Sequence, residues 1–350
     1  MTEAHITMNS ISKKKEQIKV NFHLRKYLRQ YDRDKKLPLE YHDLLNYKFA
    51  HAITDKKGKD TLWESVTYTK EKAAVLDAAL TSIYMMLKTE GSTERLKHLS
   101  VDRIDYCTFG NSNPFRIRIV NRLNDNYDYF YIKQADASRI YGLELEHILS
   151  PNRINYFVDR DTLIEEHIAG IPGDQFITSW MNDKQTNKIR LAKEFVKFNE
   201  RCFVRLLGDM RSYNYVVDIT PDFDDVQYRI RAIDFDQQSY EGKKSLYLPQ
   251  FFKENNAIVE LCTKLLTRES FEQYRNEERS LISRRVRLSR YKIKDLMDVM
   301  VKDTISSDDK TEHLKKEMAK HYQNDVFLKC RSMGEVVKKS LTLVLKSSRN

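Results

Sequence analysis

Cysteine is scarce in this chain. Cys107, Cys202, Cys262 and Cys330 are four among 350 residues, and none lies close enough to another in sequence to suggest a zinc site or a redox pair. Four scattered thiols fit a reducing cytoplasm. Long apolar runs are missing as well: no stretch approaches the roughly 20 residues that a membrane helix needs. The opening MTEAHITMNSISKKKEQ is polar and lacks the apolar core of a signal peptide. The expectation is a soluble, cytoplasmic protein with no membrane partner. Neither an internal repeat nor a long low-complexity tract is present, which excludes a solenoid.

What is present is enough for a folded enzyme or binding module. The chain is 41% hydrophobic and 32% charged, so it can bury a sizeable core and stay in solution. Its length suits one large two-lobed domain or two ordinary ones. Lys and Arg number 61 against 51 Asp and Glu, a formal net charge of +10. That excess favours anionic partners such as nucleotides, nucleic acid, acidic protein surfaces or anionic lipid heads, and equally fits a solvated basic surface.

Residues 1–18 are polar and Lys-rich and read as a loose arm. Leu39, Leu44, Leu45, Phe49 and Ala50 predict a helix over 37–53, with Pro38 near its start. A second helix is predicted over 70–88, with Ala74, Val75, Ala78, Ala79, Ile83 and Met86 on one face and Gly91 ending it. Near residue 101 the character changes. RIRIV (116–120) alternates, YDYFYI (127–132) is aromatic, and Asn-Asp-Asn between them predicts a hairpin. A short helix over 138–149, strands over 155–158 and 162–168, and a break at Gly170, Pro172 and Gly173 follow. Helices then dominate, interrupted by strands over 213–219 and 226–235. Strands first and helices later predict an α+β architecture: a small β-rich lobe joined to a larger helical one. The boundaries are a helical extension over 1–100, the β-rich lobe over 101–168 and the helical lobe over 169–350.

The chemistry concentrates in LLGDMRSYNYVV (206–217) and RIRAIDFDQQ (229–238). An amphipathic helix ends at Gly208, Asp209 follows, Asn214 comes five residues later, and a second strand ends at Asp234. Phosphoryl transfer from ATP needs one carboxylate to accept a hydroxyl proton, and a carboxylate with an amide oxygen to hold Mg²⁺. Asp209 suits the first role, Asn214 and Asp234 the second. Capping and turn formation are the plain alternative for Asp209 and Asn214.

This order resembles the protein-kinase-like superfamily, over about residues 105–265. GDMRSYN looks like the G-D-x₄-N loop of aminoglycoside and choline phosphotransferases, and Tyr213-Asn214 with Gln237 is also similar to the RIO kinases. The resemblance implies a bilobal kinase-like fold and a set of roles. Lys133, at the end of YFYIKQAD (129–136), would bind ATP phosphates. Glu144 on the helix GLELEHIL (142–149) would position that lysine, with Glu146 the other candidate. LIEEHIAGIPG (163–173) resembles the linker between lobes, placing Glu165, His167 and Ile168 beside adenine. The phosphate-covering turn, CTFGNSNPFRIRIV (107–120), holds one glycine, Gly110, with Asn111, Ser112 and Asn113 able to shape it. Asp236 stands where typical protein kinases have the Gly of D-F-G, and no A-P-E signature follows.

The resemblance implies an ATP- and Mg²⁺-dependent phosphotransferase acting on a hydroxyl of a small molecule or protein. Three alternatives stay open: a pseudokinase-type binding module, nucleotidyl instead of phosphoryl transfer, and a nucleic-acid-binding protein. The last would draw on the basic run SRRVRLSRYKIK (283–294), which also reads as a solvated face. The 20 tyrosines suit either core packing or base stacking.

Overall fold

The computed structural model describes residues 15–55, 58–88, 98–108, 111–222 and 226–347. The first part holds α1 (Phe22–Gln30), α2 (Tyr41–Leu44), β1 (Phe49–Thr54), β2 (Asp60–Thr67), α3 (Lys70–Lys88), β3 (Leu99–Cys107), β4 (Phe115–Asn121), β5 (Tyr127–Gln134), α4 (Ala137–Leu149), β6 (Tyr156–Asp159) and β7 (Thr162–Glu166). Its seven strands form one sheet in the order β1-β2-β3-β4-β5-β7-β6, every neighbour antiparallel. The second part holds β8 (Ile171–Pro172), α5 (Gly173–Gln175), α6 (Lys188–Arg205), β9 (Tyr215–Pro221), β10 (Val226–Ala232), α7 (Asn256–Leu265), α8 (Arg268–Leu288), α9 (Arg290–Met300), α10 (Asp308–Tyr322) and α11 (Met333–Ser347). The molecule is α+β and bilobal: an antiparallel sheet lobe, then a helical lobe carrying a small three-stranded sheet, β10-β9-β8.

Period-two patterning explains the large sheet. On β4, Phe115, Ile117 and Ile119 are buried on one face, while Arg116 and Arg118 point to the other. Phe130, Ile132, Ile164, Ile104 and Val66 join that apolar face, which packs against Leu76, Leu80, Ile83 and Leu87 of α3 and Tyr41 and Leu44 of α2. A second core unites α1, α4 and the helices of the other lobe.

The hairpin β4–β5 and the helices α3, α4 and α6 fall where the periodicity predicts. Two expectations need correction. Over 37–53 only Tyr41–Leu44 is helical, and Phe49–Thr54 is a strand. FAHAIT has weak helical preference, and pairing of β1 with β2, and of β2 with β3, satisfies its backbone in a sheet instead. The N-terminal extension is therefore not wholly helical: its hairpin widens the sheet from five strands to seven. On α3 the buried stripe is Leu76, Leu80, Ile83 and Leu87, while Val75 is 70% exposed. The larger side chains at i, i+4, i+7 and i+11 take the core, and the alanines do not. Gly91 and Gly110 lie outside the described residues.

Helix α4 is tied to the helical lobe at successive turns. Ser138 Oγ donates to the Gln238 carbonyl at 2.7 Å, and Tyr141 Oη to Asp303 at 2.9 Å. Glu144 meets Lys292 of α9 at 3.0 Å, and Glu146 meets Arg205 of α6. The basic run over 283–294 is partly consumed internally, since Arg285 pairs with Glu278, Lys292 with Glu144 and Lys294 with Asp298.

Candidate functional site

A cleft of about 730 Å³ separates the lobes, and Lys133, Arg139, Glu165, His167, Ile168, Asp209, Asn214, Asp234 and Asp236 all line it. Each reaches it from the end of an element, where a regular backbone fixes the side-chain direction and the next residues are free to turn.

Lys133 ends β5, and its Nζ donates to Glu165 Oε2 at 2.8 Å. Both side chains are buried. Glu165 sits on β7, directly beside β5 in the sheet. It also accepts from Arg139 Nη2 at 2.8 Å and from Arg139 Nε. Arg139 stands in the first turn of α4, whose N-cap Asp136 accepts from the Arg139 amide. Its Nη1 then bridges Asp234 Oδ1 at 2.9 Å and Asp236 Oδ1 at 2.8 Å. One guanidinium thus links strand β7 to the Asp-Phe-Asp segment, using its planar fork of donors.

The electrostatics follow from this crowding. Burial, then the neighbouring Arg139, lowers the Lys133 ammonium from its usual value, against the pull of Glu165. Glu165 is held below the usual carboxylate range: burial acts the other way, but Arg139 and Lys133 outweigh it. Asp234 and Asp236 diverge. Burial and the charge of Asp236 raise Asp234, while Arg139, Lys15 and Lys133 overcome burial and lower Asp236.

The expected pairing of Lys133 with Glu144 is corrected. Positions 139 and 144 are five apart, about 140° around a helix, so the residue facing the cleft from α4 is Arg139. Glu144 faces away and is fully buried. It accepts from Tyr27 at 2.9 Å, Tyr156 at 2.7 Å and Arg33 at 3.0 Å, and pairs with Lys292. Glu146 is not the partner either, being engaged by Arg205. Glu165, read as a linker residue, is instead the strand-borne counterion of Lys133. His167 stacks edge-on against Tyr129 and tilts against Tyr131, with centroids 5.6 and 5.9 Å away, and burial lowers its imidazole. Ile168 is buried at the cleft wall near Pro172 and Val216. Gly170 follows with φ +153°, where a Cβ would come within 2.7 Å of Val216 Cγ2. Only glycine fits that bend.

Across the cleft, α6 ends with Leu206 in the left-handed region at φ +57°, and Asp209 adopts φ +58°. Both conformations are uncommon outside glycine and mark an over-determined loop. The loop is held by backbone bonds from the Asp209 amide to the Leu246 carbonyl, and from the Ile233 amide to the Asn214 carbonyl. Asn214 Nδ2 donates to the Asp209 carbonyl at 2.7 Å, which leaves its amide oxygen as the acceptor. Arg211 Nε donates to Asp209 Oδ1 at 2.8 Å, and its Nη1 to Glu254 at 2.9 Å. Burial pushes the Asp209 carboxyl up to about 7. Arg211 opposes this, and Asp234 and Glu254 add to it.

Among the described residues no group of three or more His, Cys, Asp or Glu side chains is arranged to hold a metal ion. The Asn214 amide oxygen and the Asp234 carboxylate, both of residues lining the cleft, are hard oxygen donors. Asp234 keeps 37% of its side chain exposed to the cleft. Such a pair fits Mg²⁺ bound mainly through a substrate phosphate and water. Arg139 and Asp236 are the site residues that sequence reasoning did not assign. Their signal was thin: an arginine one helical turn into α4, and a carboxylate two residues past Asp234.

No protein-family model matches the chain, and no curated protein matches it. Among solved structures it aligns with the autoinhibited serine kinase domain of the giant muscle protein titin at 13% identity. That alignment covers 71% of this chain and 94% of the other, with a TM-score of 0.27. Titin kinase with its flanking domains aligns at 14% identity over 79% of this chain and 61% of the other, with a TM-score of 0.28. Similarity at that level carries no weight here. The bilobal assignment stands on the strand order and the two cores described above.

Proposed function

We propose that the chain is an ATP- and Mg²⁺-dependent phosphotransferase of the protein-kinase-like type, moving the γ-phosphate to a hydroxyl of a small molecule or protein. The observation that carries this reading is the meeting of three separately encoded groups in one cleft: the Lys133–Glu165–Arg139 cluster, the Asp209–Asn214 loop, and Asp234. The aminoglycoside or choline phosphotransferases and the RIO kinases are the branches its catalytic loop most resembles.

In this reading Lys133 and Arg139 meet the phosphate oxygens, with Glu165 fixing their directions. Ile168, Val216 and Pro172 offer an apolar slot for the adenine ring. Asp209 accepts the proton of the acceptor hydroxyl as its oxygen bonds to the γ-phosphorus and the bond to ADP breaks. A carboxyl poised near neutrality suits that task. Arg211 holds Asp209 in place. Mg²⁺, when bound by Asn214 and Asp234, supplies neutralisation of phosphate charge.

One observation favours a second reading. Arg139 already places a cation between Asp234 and Asp236, as a nucleotide-binding module without turnover would tolerate. Calorimetric titration of ATP with and without Mg²⁺, beside Asp234→Asn, tests the nucleotide site. The expected result is magnesium-dependent binding that weakens in the variant; a folded wild-type protein that binds no ATP would overturn the proposal. Mass spectrometry of the modified acceptor then separates phosphoryl from nucleotidyl transfer, and Mg²⁺-dependent binding with no transfer to any acceptor points to the module.

A further inference from the structure

The large sheet has one buried face and one that is not. Residues paired across neighbouring strands share a face, so the register places Phe49, Trp63, Arg103, Asp105, Arg116, Arg118, Tyr127, Tyr129 and Tyr131 together, opposite the core packed under α3. On this face cations stand over rings strand after strand. Arg116 lies 4.5 Å from the Trp63 ring centroid and 5.4 Å from that of Tyr129. Arg118 lies 4.1 Å from Tyr127, and Lys48 5.6 Å from Phe49.

The arginines are set, not floppy. Asp105 is fully buried between Arg103 and Arg116, at 2.8 and 2.7 Å, and Asp102 pairs with Arg118 at 3.2 Å. Four cations (Lys48, Arg103, Arg116 and Arg118) therefore stand against two carboxylates, both already engaged. Tyr127 is 56% exposed and Phe49 57% exposed. Tyr127, Tyr129 and Tyr131 recur along β5 at roughly 7 Å, two strand residues apart, a spacing comparable to one extended nucleotide. The hairpin β1–β2 adds Phe49 and Trp63 to the same surface.

We infer that this face binds single-stranded nucleic acid: bases stack on the exposed rings and phosphates meet the guanidinium edges. An acidic polypeptide would satisfy the charges but leave the exposed rings of Tyr127 and Phe49 uncovered. A duplex would hide its bases from the rings. Trp63, Arg116 and Tyr131 also line the cleft, whereas Tyr127 and Arg118 do not. The outer pair therefore tests the surface without touching the proposed nucleotide site, and the inference does not rest on phosphotransfer.

The experiment is fluorescence anisotropy of labelled 12-nucleotide oligo(dT) and oligo(U) with the full chain, without ATP, from 50 to 300 mM salt. Saturable binding that weakens with salt is expected. Tyr127→Ala should lower affinity about tenfold and Arg118→Glu at least as much, while Tyr127→Phe retains it and ATP titration is unchanged. Circular dichroism checks that each variant is folded. No saturable binding at 50 mM salt would overturn the inference. So would binding that ignores Tyr127 and Arg118 but is lost on Arg284→Glu in α8, or equal displacement by polyglutamate, which would assign the face to acidic polypeptides.

Discussion

Replacing Glu165 by Gln keeps the shape of the side chain and deletes the charge that two buried cations share. Arg139 retains Asp234 and Asp236, but the one side chain among the described residues that hydrogen-bonds Lys133 loses its negative charge. Removing one member of a buried ion pair costs ~3–5 kcal/mol, because the other charge stays desolvated. For a chain of this length that is a fall of roughly 4–7 °C in Tm. A second effect follows from the direction of the shift. Burial and Arg139 already lower the Lys133 pKa, and Glu165 is the largest force opposing them. Without it Lys133 drops further and loses its proton at lower pH. The variant should bind ATP at least tenfold more weakly near neutrality, and recover part of that affinity as the pH is lowered and the ammonium re-forms. Differential scanning fluorimetry with ATP titrations at pH 6, 7 and 8 measures both. A Tm within 1 °C of wild type, or an affinity loss independent of pH, would refute the reasoning about Glu165.

Glu144→Gln removes an equally buried carboxylate, leaving Arg33 and Lys292 facing each other, and should cost ~3–5 kcal/mol in urea unfolding; ATP affinity should not change, because Glu144 points away from the cleft. If Asp209 is the base, it must be deprotonated to act. With its carboxyl near 7, kcat/KM should rise about tenfold per pH unit below that value and level off above it; Asp209→Asn should abolish the rise, and a flat profile from pH 5.5 to 8 would remove Asp209 from that role. Burial, Arg33 and Lys292 push the His147 imidazole down to about 4, so between about 6.5 and 4 the unfolded chain binds a proton that the folded one refuses. Stability should fall by roughly 1–2 kcal/mol over that window after solvent screening, and His147→Gln should flatten this part of the urea-midpoint profile.

The frame of the proposed site was legible because Lys133, Asp209, Asn214 and Asp234 each sit where a periodic pattern stops, and such ends are visible in one dimension. The ion pairs behind them were not. Lys133 meets Glu165 because β7 lies beside β5 in a register that sets Tyr131 opposite Glu165, and no spacing along the chain encodes that adjacency. Arg139 rather than Glu144 faces the cleft because of helical phase, which GLELEHIL leaves ambiguous when every position but His147 of α4 is buried. Residues 49–54 were misread for a similar reason. A six-residue segment carries too little periodicity to separate helix from strand, and its pairing partner decides.

The bonds that join α4 to the helical lobe have a mechanical consequence. Ser138, Tyr141, Glu144 and Glu146 fasten it along most of its length, so swinging this helix would break several buried contacts at once. It acts as a keel rather than a lever. Arg139 is thus held at the cleft by a helix that is itself fastened on its other sides. Switching such a molecule off by displacing α4 would cost a large part of its stability, leaving the contents of the cleft as the inexpensive point of control.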